Sequence, residues 1–352
     1  MVPIFIASTC GYSGKTFMAL GLAVKLAELG YKVGYVKPVG KTPLKKGSKV
    51  VDADAVFMKD ALSLSEPLEV ISPFVLSYET QNMIYAGKIK EIMGRIMGSI
   101  AAMKEKDFVI IGGGADFFEG SLVRGDALSL IEEARALVLL VEPWTGDLSA
   151  DSIFGCFRLF GKRFLGAVIN KVPPASLDHV KETVRPFMEK KGVRVLGVFH
   201  KDSVLESFTV RQLNDVLHGK VLCCEEGLDD LVENYLIGAM DVDSALKYFR
   251  RTPNKAVITG AHRSDIQLAA METSTKCIIL TGGLYTNSVV IARAQSRGIP
   301  IISVSEDTFT TIDRIESVMG KATIRDSVKI ARVKELVDKE FDIKRLLRIV
   351  KV

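Results

Sequence analysis

The fold is decided by the stretch Ser8-Thr9-Cys10-Gly11-Tyr12-Ser13-Gly14-Lys15-Thr16, near the start of a chain of 352 residues. The apolar run from Val2 to Ala7 precedes it and predicts a buried strand, while the residues from Phe17 to Val24 predict the opening of a helix. A strand, a loop of small residues, Gly-Lys-Thr and a helix form the pattern of a phosphate-binding loop. The pattern therefore predicts an anion site at the end of the first strand.

Backbone chemistry explains why this pattern binds phosphate. The N–H groups of the loop and of the helix N-terminus point at a bound anion, and the helix dipole favours negative charge there. Lys15 would reach the terminal phosphates of a nucleotide, and the Thr16 hydroxyl would bind Mg²⁺. Thr9 stands where a glycine is usual, so a tight turn that merely contains Gly-Lys-Thr is the alternative. The predicted nucleotide contacts are Gly11, Tyr12, Ser13, Gly14, Lys15, Thr16 and Phe17.

Composition narrows the class of protein. Charged residues make up 25% of the chain and hydrophobic residues 48%, as in ordinary globular proteins. No apolar run reaches the length of a membrane span and no signal peptide is evident, which predicts a cytoplasmic protein with no membrane partner. The net charge of +5 resides in residues 321–352, so the rest of the chain does not favour a nucleic acid partner. The five cysteines lack metal-type spacing and predict free thiols.

Continuous apolar runs alternate with helical segments over the first 215 residues. Such runs predict strands buried on both faces, and therefore an α/β fold of the P-loop NTPase type, a parallel sheet with helices on both faces. A second, smaller α/β series follows a boundary near 211–218. The predicted strands are Val2–Ser8, Lys32–Val39, Asp107–Gly113, Ala136–Glu142, Phe164–Val172 and Val193–Phe199, and then Lys220–Glu225, Ala256–Thr259, Cys277–Leu280 and Ile301–Val304.

Helical periodicity is clearest from Lys88 to Lys106, where the apolar side chains fall on one face that we assign to the core. A last amphipathic helix is predicted from Asp326 to Phe341, and its apolar face forms either a subunit contact or a cover for the chain's own core. In the second series, the predicted helical segments start near Asp229, Val242, Ser264, Ser288 and Thr308.

Polar residues at other strand ends converge with the phosphate loop. Lys37 closes the second strand and faces the crevice in which parallel α/β sheets bind ligands. Asp52 and Asp54 open a helix, where a carboxylate either holds Mg²⁺ or caps the helix, and the metal is favoured for Asp54. Asn170 ends a later strand, where its amide either hydrogen-bonds an adenine edge or forms a turn.

The strand from Asp107 ends in three glycines and carries no acid. Many phosphate-loop enzymes present a second acidic metal ligand at such a strand end, whereas this chain has Ile111 there. Asp116 and Glu119 lie just beyond the glycines. The histidines have no metal-ligand spacing, and Cys10 fits the loop as a small residue.

These residues resemble a known pair of domains. Gly14-Lys15-Thr16, Lys37-Pro38-Val39, Asp54, the triple glycine and the Asn170 strand end look like dethiobiotin synthetase, and more closely like the N-terminal region of long phosphate acetyltransferases. The later stretches Val257–Asp265, Ile278–Gly283, Arg297–Pro300 and Glu306–Thr308 resemble the DRTGG domain that follows that region. The resemblance divides the chain into a nucleotide-binding domain over 1–212, a DRTGG domain over 213–322 and a helical tail over 323–352.

The resemblance implies ATP and Mg²⁺ as cofactors. It assigns Lys15 and Lys37 as catalytic lysines, Thr16 and Asp54 as metal ligands, and Asn170 as an adenine contact. Two departures stand against it, because the family carries an acid where this chain has Cys10 and a glutamate where it has Ile111. Losing a carboxylate removes charge where a transferring phosphate needs it.

Three functions remain open at the level of the sequence. The first is an ATP-binding protein with weak or regulated hydrolysis, coupled to a DRTGG domain that forms a homodimer. The second is an ATP-dependent ligase or kinase that activates a small carboxylate or amine. The third is a non-catalytic regulatory partner of a metabolic enzyme. In the second domain, the loops Gly260–Ser264 and Thr281–Gly283 either hold an anion with Arg263 or form tight turns.

Overall fold

The computed structural model describes residues 1–47, 49–283, 286–318 and 327–350. The chain forms two compact units, which are described separately. The first comprises Met1–Lys201 and Ile324–Val352, and the second comprises Asp202–Thr323. Where the sequence predicted a boundary after residue 212, the contacts divide the chain after Lys201, because the short strand Phe208–Thr209 pairs with Leu231–Val232 further along the chain. The predicted boundary at 322/323 lies outside the described residues.

A six-stranded parallel sheet forms the centre of the first unit, as the continuous apolar runs predicted. Its first strand lies in the middle, so the phosphate loop emerges between two neighbouring strands. The strands in spatial order are β2 (Val33–Val36), β5 (Phe108–Gly112), β1 (Val2–Ala7), β6 (Leu137–Pro143), β7 (Phe164–Val172) and β8 (Val195–His200). A separate hairpin, which the sequence analysis missed, consists of β3 (Pro43–Lys46) and β4 (Lys49–Asp52). Its Lys-rich strands lack the apolar pattern of a buried strand.

Consecutive residues are buried along the central strands, so both faces of this sheet are covered. The helices of the first unit are α1 (Lys15–Glu28), α2 (Ala53–Ala61), α3 (Leu68–Ile71), α4 (Tyr78–Tyr85), α5 (Met93–Ala101), α6 (Ala127–Glu133), α7 (Leu148–Phe160), α8 (Leu177–His179), α9 (Arg185–Lys190), α16 (Ser327–Glu340) and α17 (Ile343–Val350). The helix predicted over 88–106 is wrong in length, because α5 begins only at Met93. The Ile92 amide donates to the Val123 carbonyl instead of entering a preceding turn. The predicted apolar face is confirmed, since Met93, Ile96 and Ile100 are buried.

The helices after the second unit return to the first. Val333, Leu336 and Val337 of α16 are buried against α1, and Phe341 pairs through its backbone with Gly197 of β8. The last amphipathic helix therefore covers the chain's own core. The start that the sequence predicted for it, Asp326, lies outside the described residues.

The second unit contains a five-stranded sheet in which all strands but one are parallel. In spatial order they are β10 (Lys220–Cys223), β15 (Ile301–Ser303), β14 (Thr275–Thr281), β13 (Lys255–Gly260) and β12 (Asn234–Ile237), with β10 antiparallel. The pair β9 (Phe208–Thr209) and β11 (Leu231–Val232) lies outside this sheet. The helices are α10 (Ser203–Glu206), α11 (Val210–Leu217), α12 (Val242–Arg251), α13 (Ser264–Met271), α14 (Ser288–Arg297) and α15 (Thr308–Val318).

Two apolar layers enclose this second sheet. Helices α12, α13 and α14 pack on one face, and α11 and α15 pack on the other. The predicted helix starts at Val242, Ser264, Ser288 and Thr308 are confirmed. The start near Asp229 is wrong, because that residue ends a short 3₁₀ turn and the chain then extends into β11 and β12. Within the described residues, no helix has the length and apolar character needed to cross a membrane.

The close approach of α16 to α1 yields a test of packing. A Cβ atom at Gly21 would lie 2.4 Å from Cγ2 of Val337 and 3.2 Å from Cγ1 of Val333. We expect Gly21→Ala to lower the free energy of unfolding by roughly 1–3 kcal/mol in a denaturant titration, because the core there has no room for a methyl group. Adding Val337→Ala should recover part of the loss.

Gly155→Ala serves as the matched control for this packing test. Gly155 lies in α7 with nothing within 4 Å of a built Cβ atom. The substitution should therefore stabilise the chain by up to about 1 kcal/mol through helix propensity. Equal effects at the two glycines would contradict tight packing between α16 and α1.

Candidate functional site

The phosphate loop runs from the end of β1 at Ala7 to the start of α1 at Lys15. Tyr12 and Gly14 adopt left-handed backbone conformations with φ of 56° and 99°. Position 14 requires glycine for a second reason, because a Cβ atom there would lie 2.1 Å from Nδ2 of Asn170. The loop is therefore held in a tight turn against the end of β7.

The Lys15 ammonium folds over this loop. It donates to the Cys10 carbonyl at 2.9 Å, the Ser13 hydroxyl at 3.2 Å and the Ala115 carbonyl at 3.1 Å. Burial, together with a smaller effect of the Lys37 charge, lowers the pKa of Lys15 to about 8, although Cys10, Glu119 and Glu142 act in the opposite direction. A partly buried cation whose hydrogen-bond partners are neutral has charge available to offset an anion.

The two other predicted contacts, Thr16 and Phe17, differ in their burial. Thr16 is half-buried in the first turn of α1, on the side where the loop ends. Phe17 is buried, and its ring packs edge-on against Phe199 with centroids 5.1 Å apart. Only the backbone amide of Phe17 is therefore available for a phosphate.

Lys37 lies close to the same site. Its backbone amide donates to the Ile71 carbonyl, and its ammonium approaches the Gly113 carbonyl at 3.4 Å. The side chains of Lys15 and Lys37 thus both reach the segment that follows β5, at Ala115 and Gly113 respectively. The structure brings together the lysine that the sequence placed in the phosphate loop and the one that it placed at the end of the second strand.

The two aspartates differ in their surroundings. Asp52 is fully buried and caps α2, accepting from the Ala55 amide at 2.9 Å and from the Thr42 amide and hydroxyl at 2.9 and 2.8 Å. Of the two alternatives for Asp52, capping is the one observed. Asp54 lies in the first turn of α2, and burial together with the charges of Asp54 and Asp52 raises the pKa of the Tyr35 phenol.

The segment after β5 is shaped by its own acids. Ile111 is fully buried, which leaves the strand end apolar. Asp116 accepts from the amides of Phe118 and Glu119 at 2.8 and 3.0 Å. Glu119 accepts from the Ala115 amide at 2.6 Å and pairs with Lys41 at 2.6 Å. Among the described residues, no group of three or more His, Cys, Asp or Glu side chains is arranged to hold a metal ion.

Asn170 contacts the phosphate loop itself. Its side-chain amide is buried and donates to the Ser13 carbonyl at 2.8 Å. The backbone carbonyl of Asn170 accepts from the Trp144 amide at 2.7 Å. The residue therefore connects the end of β7 to the loop. Its adenine contact stays a prediction.

Glu142 is a site residue that the sequence analysis missed. It lies at the end of β6, is 5% exposed, and accepts from the Thr9 hydroxyl at 2.6 Å. Burial raises the pKa of Glu142, while the Thr9 hydrogen bonds and the Lys15 charge oppose that shift. An acid in the otherwise apolar run of β6 was the available signal.

In the second unit, side chains near the Gly260–Ser264 loop make hydrogen bonds within the protein itself. Arg263 donates to both carboxylate oxygens of Asp265 at 3.0 and 2.9 Å and to the Met240 carbonyl at 2.9 Å. Gln267 is fully buried and donates to the Gly260 and Ala261 carbonyls. These contacts favour the interpretation of Gly260–Ser264 as a tight βα turn.

A parallel sheet whose central strand runs through a glycine-lysine-threonine loop into a helix defines a nucleotide-binding domain of the P-loop NTPase type. Comparison with known families agrees with this class. Residues 3–209 match the AAA domain family model, which is more than half of the chain, and the chain belongs to that family. Residues 212–318 match the DRTGG domain.

Curated relatives match different shares of this chain. Phosphate acetyltransferase of Synechocystis is 23% identical over 99% of this chain and 52% of its own length. ATP-dependent dethiobiotin synthetase of Clostridium perfringens is 23% identical over 61% of this chain and 98% of its own length. The chain thus spans about half the length of the phosphate acetyltransferases it matches, and the resemblance seen in the sequence is confirmed.

Solved structures of low identity are also similar. The cell division protein MinD of Aquifex aeolicus is 15% identical with a TM-score of 0.36, and covers 58% of this chain and 84% of its own. The CBS and DRTGG regulatory region of Clostridium perfringens pyrophosphatase is 19% identical with a TM-score of 0.30, and covers 48% of this chain and 85% of its own. Scores at this level add nothing to the assignment made from the family models.

The burial of Lys15 predicts a pH effect on stability. Its pKa falls from 10.5 in the unfolded chain to about 8 in the folded one, so the folded chain binds fewer protons between these values. We expect the free energy of unfolding to rise with pH from about 8 to 10.5, relative to Lys15→Met, by on the order of 1 kcal/mol per pH unit. Denaturant titrations of both chains give this difference, and parallel curves would contradict the depressed pKa.

Proposed function

We propose that the chain binds ATP with Mg²⁺ at the phosphate loop and hydrolyses it slowly, and that the second unit regulates this reaction and forms a homodimer. The observation that carries the proposal is the partly buried Lys15 ammonium in the first turn of α1, whose hydrogen bonds go to neutral oxygens of the phosphate loop and of Ala115. Such a cation and the helix dipole both favour a polyphosphate. The membership of the AAA domain family supports the same assignment.

The residues of the site have separate roles in this proposal. Amides from Gly11 to Phe17 bind the phosphates, and Lys15 neutralises their charge. The Thr16 hydroxyl and Asp54 hold Mg²⁺, which offsets phosphate charge when bound. Lys37 contacts the terminal phosphate, and Asn170, whose side-chain amide donates to the Ser13 carbonyl, contacts the adenine.

Slow turnover follows from the strand end at Ile111. An apolar, fully buried side chain cannot compensate the charge that develops as a phosphoryl group transfers. Asp116 accepts from backbone amides, and Oε2 of Glu119 accepts from the Ala115 amide and pairs with Lys41. We therefore expect the chain to bind ATP but to hydrolyse it slowly, which suits a regulated enzyme or a regulatory protein.

A second candidate function is that of an ATP-dependent ligase or kinase, as in the dethiobiotin synthetases. A cavity of about 250 Å³ supports it, because Glu119 lies both in the cavity wall and beside the loop that Lys15 and Lys37 reach. Apolar side chains dominate the lining, among them Val39, Phe74 and Ile84. A small acceptor with an apolar body would fit this space.

A third candidate is a non-catalytic partner of a metabolic enzyme. The similarity to one half of several phosphate acetyltransferases supports this role. Cytoplasmic localisation is part of the proposal in each case. The three candidates differ in whether ATP is turned over, and whether an acceptor accelerates that turnover.

The primary test is calorimetric titration of the full chain with ATP and Mg²⁺. Lys15→Ala should abolish binding, because the phosphates lose their main cation. Lys25→Ala is the matched control, since Lys25 lies on the same helix and pairs with Asp338 in α16. Unchanged affinity of the Lys15→Ala chain would exclude the assignment.

A turnover assay then separates the first candidate from the second. The first predicts ATP turnover well below the ~10 s⁻¹ median of enzymes, with or without small carboxylates and amines. Acceleration by one of these acceptors would favour the ligase or kinase instead. Turnover near the median without an acceptor would show that another acid replaces the one missing at Ile111.

The homodimer requires its own test. Phe309 of α15 is 79% exposed, a large apolar surface on the second unit. Light scattering of the full chain should give twice the mass of 38.5 kDa, and Phe309→Ser should shift the chain towards monomer. Phe118→Ser removes a ring that is 69% exposed on the first unit and should leave the dimer intact. A monomeric full chain would remove the dimerisation role.

A further inference from the structure

Thr9 and Glu142 form a contact that the assignment of the phosphate loop does not use. Ala7 of β1 pairs with Leu140 of β6, so each residue of the contact lies two positions beyond this pair, where the two strands end. The Thr9 hydroxyl donates to Oε1 of Glu142 at 2.6 Å, and the Thr9 amide approaches Oε2 at 3.4 Å. Both oxygens of one buried carboxylate thus face a single loop residue, which stands where a glycine is usual.

The charge of Glu142 also bears on the loop. The carboxylate is 5% exposed, and the ionisable groups that face it are Lys15 of α1 and Cys156 of α7. Burial of the Cys156 thiol, followed by the Glu142 charge, raises the pKa of that thiol to about 12, so it stays neutral near pH 7. Lys15 is therefore the positive charge that attracts both the Glu142 carboxylate and any anion bound in the loop.

We propose that Glu142 is a positioning residue for nucleotide binding: it anchors the phosphate loop through Thr9, and its negative charge competes with bound phosphate for Lys15. The inference rests on the proposed nucleotide binding. Its two components oppose each other, because the anchor preorganises the loop whereas the charge weakens anion binding.

Two variants separate these components. Thr9→Val removes the hydroxyl donor and retains the shape of the side chain and the Glu142 charge. Glu142→Gln retains an acceptor for the Thr9 hydroxyl and removes the charge. Thr9→Ser keeps the hydroxyl and should restore the anchor. Thr275→Val, in the second unit, removes a comparable buried hydroxyl that donates to the Ala270 carbonyl, and serves as the control for general destabilisation.

The readout is the affinity of the full chain for ATP with Mg²⁺, measured by calorimetry over a range of pH. We expect Thr9→Val to bind roughly tenfold more weakly, as the loss of a hydrogen bond to a charged group implies. Thr9→Ser and Thr275→Val should bind as the parent chain does. Glu142→Gln should bind several-fold more tightly at pH 7, below the pKa of Lys15, where that lysine keeps its charge.

The pH dependence distinguishes the charge of Glu142 from a purely structural role. Protonation of Glu142 removes its competition for Lys15, so the affinity of the parent chain should rise as the pH falls through the raised pKa of this carboxyl. Part of this dependence should disappear in Glu142→Gln. Protonation of the ATP phosphates contributes equally to the pH dependence of both chains and therefore cancels when the two are compared.

Several outcomes would overturn the inference. Parent-like affinity of Thr9→Val would exclude the anchor, and identical pH profiles of the parent and Glu142→Gln would exclude the competition. If thermal unfolding shows that Thr9→Val does not fold, the Glu142→Gln profile decides alone. A parent chain that fails to bind ATP would overturn the proposed function together with this inference, whereas binding without an effect of either variant overturns the inference only.

Discussion

The site depends on a partly buried positive charge. The Lys15 ammonium lies among two backbone carbonyls and a hydroxyl, and its lowered pKa reflects the cost of removing part of its surface from water. Natural proteins tolerate such a cost where a ligand later provides the missing counter-charge. The arrangement of the loop and the approach of Lys37 are consistent with a cation kept ready for an anion, whereas the charge of Glu142 limits how strongly that anion is held.

Strand order explains how distant residues meet around this cation. Because β1 lies in the middle of a parallel sheet, the ends of β5, β6 and β7 contribute Gly113, Glu142 and Asn170 to the same edge. The contact between Asn170 and the Ser13 carbonyl spans most of the first unit in sequence. It also leaves no room for a side chain at position 14, so the loop geometry is fixed from outside as well as by its own glycine.

Local patterns predicted the parallel sheet, the phosphate loop and most helix starts, since continuous apolar runs and Gly-Lys-Thr are short-range signals. These local patterns could not predict contacts between residues that are distant in the sequence. The hydrogen bonds from Thr42 to Asp52 cross a hairpin, and the shorter α5 depends on a hydrogen bond from Ile92 to Val123. Glu142 was missed because nothing in its own neighbourhood shows that β6 would end beside Thr9.

The return of α16 to α1 has a consequence for synthesis. A ribosome releases the phosphate loop and its helix early, yet the residues that cover Gly21 and its neighbours come from Val333 and Val337, near the other end of the sequence. The apolar face of α1 that packs against α16 therefore stays exposed while the whole second unit is translated. Such an interval favours chaperone binding, and it delays completion of the nucleotide-binding unit until the second unit has been translated.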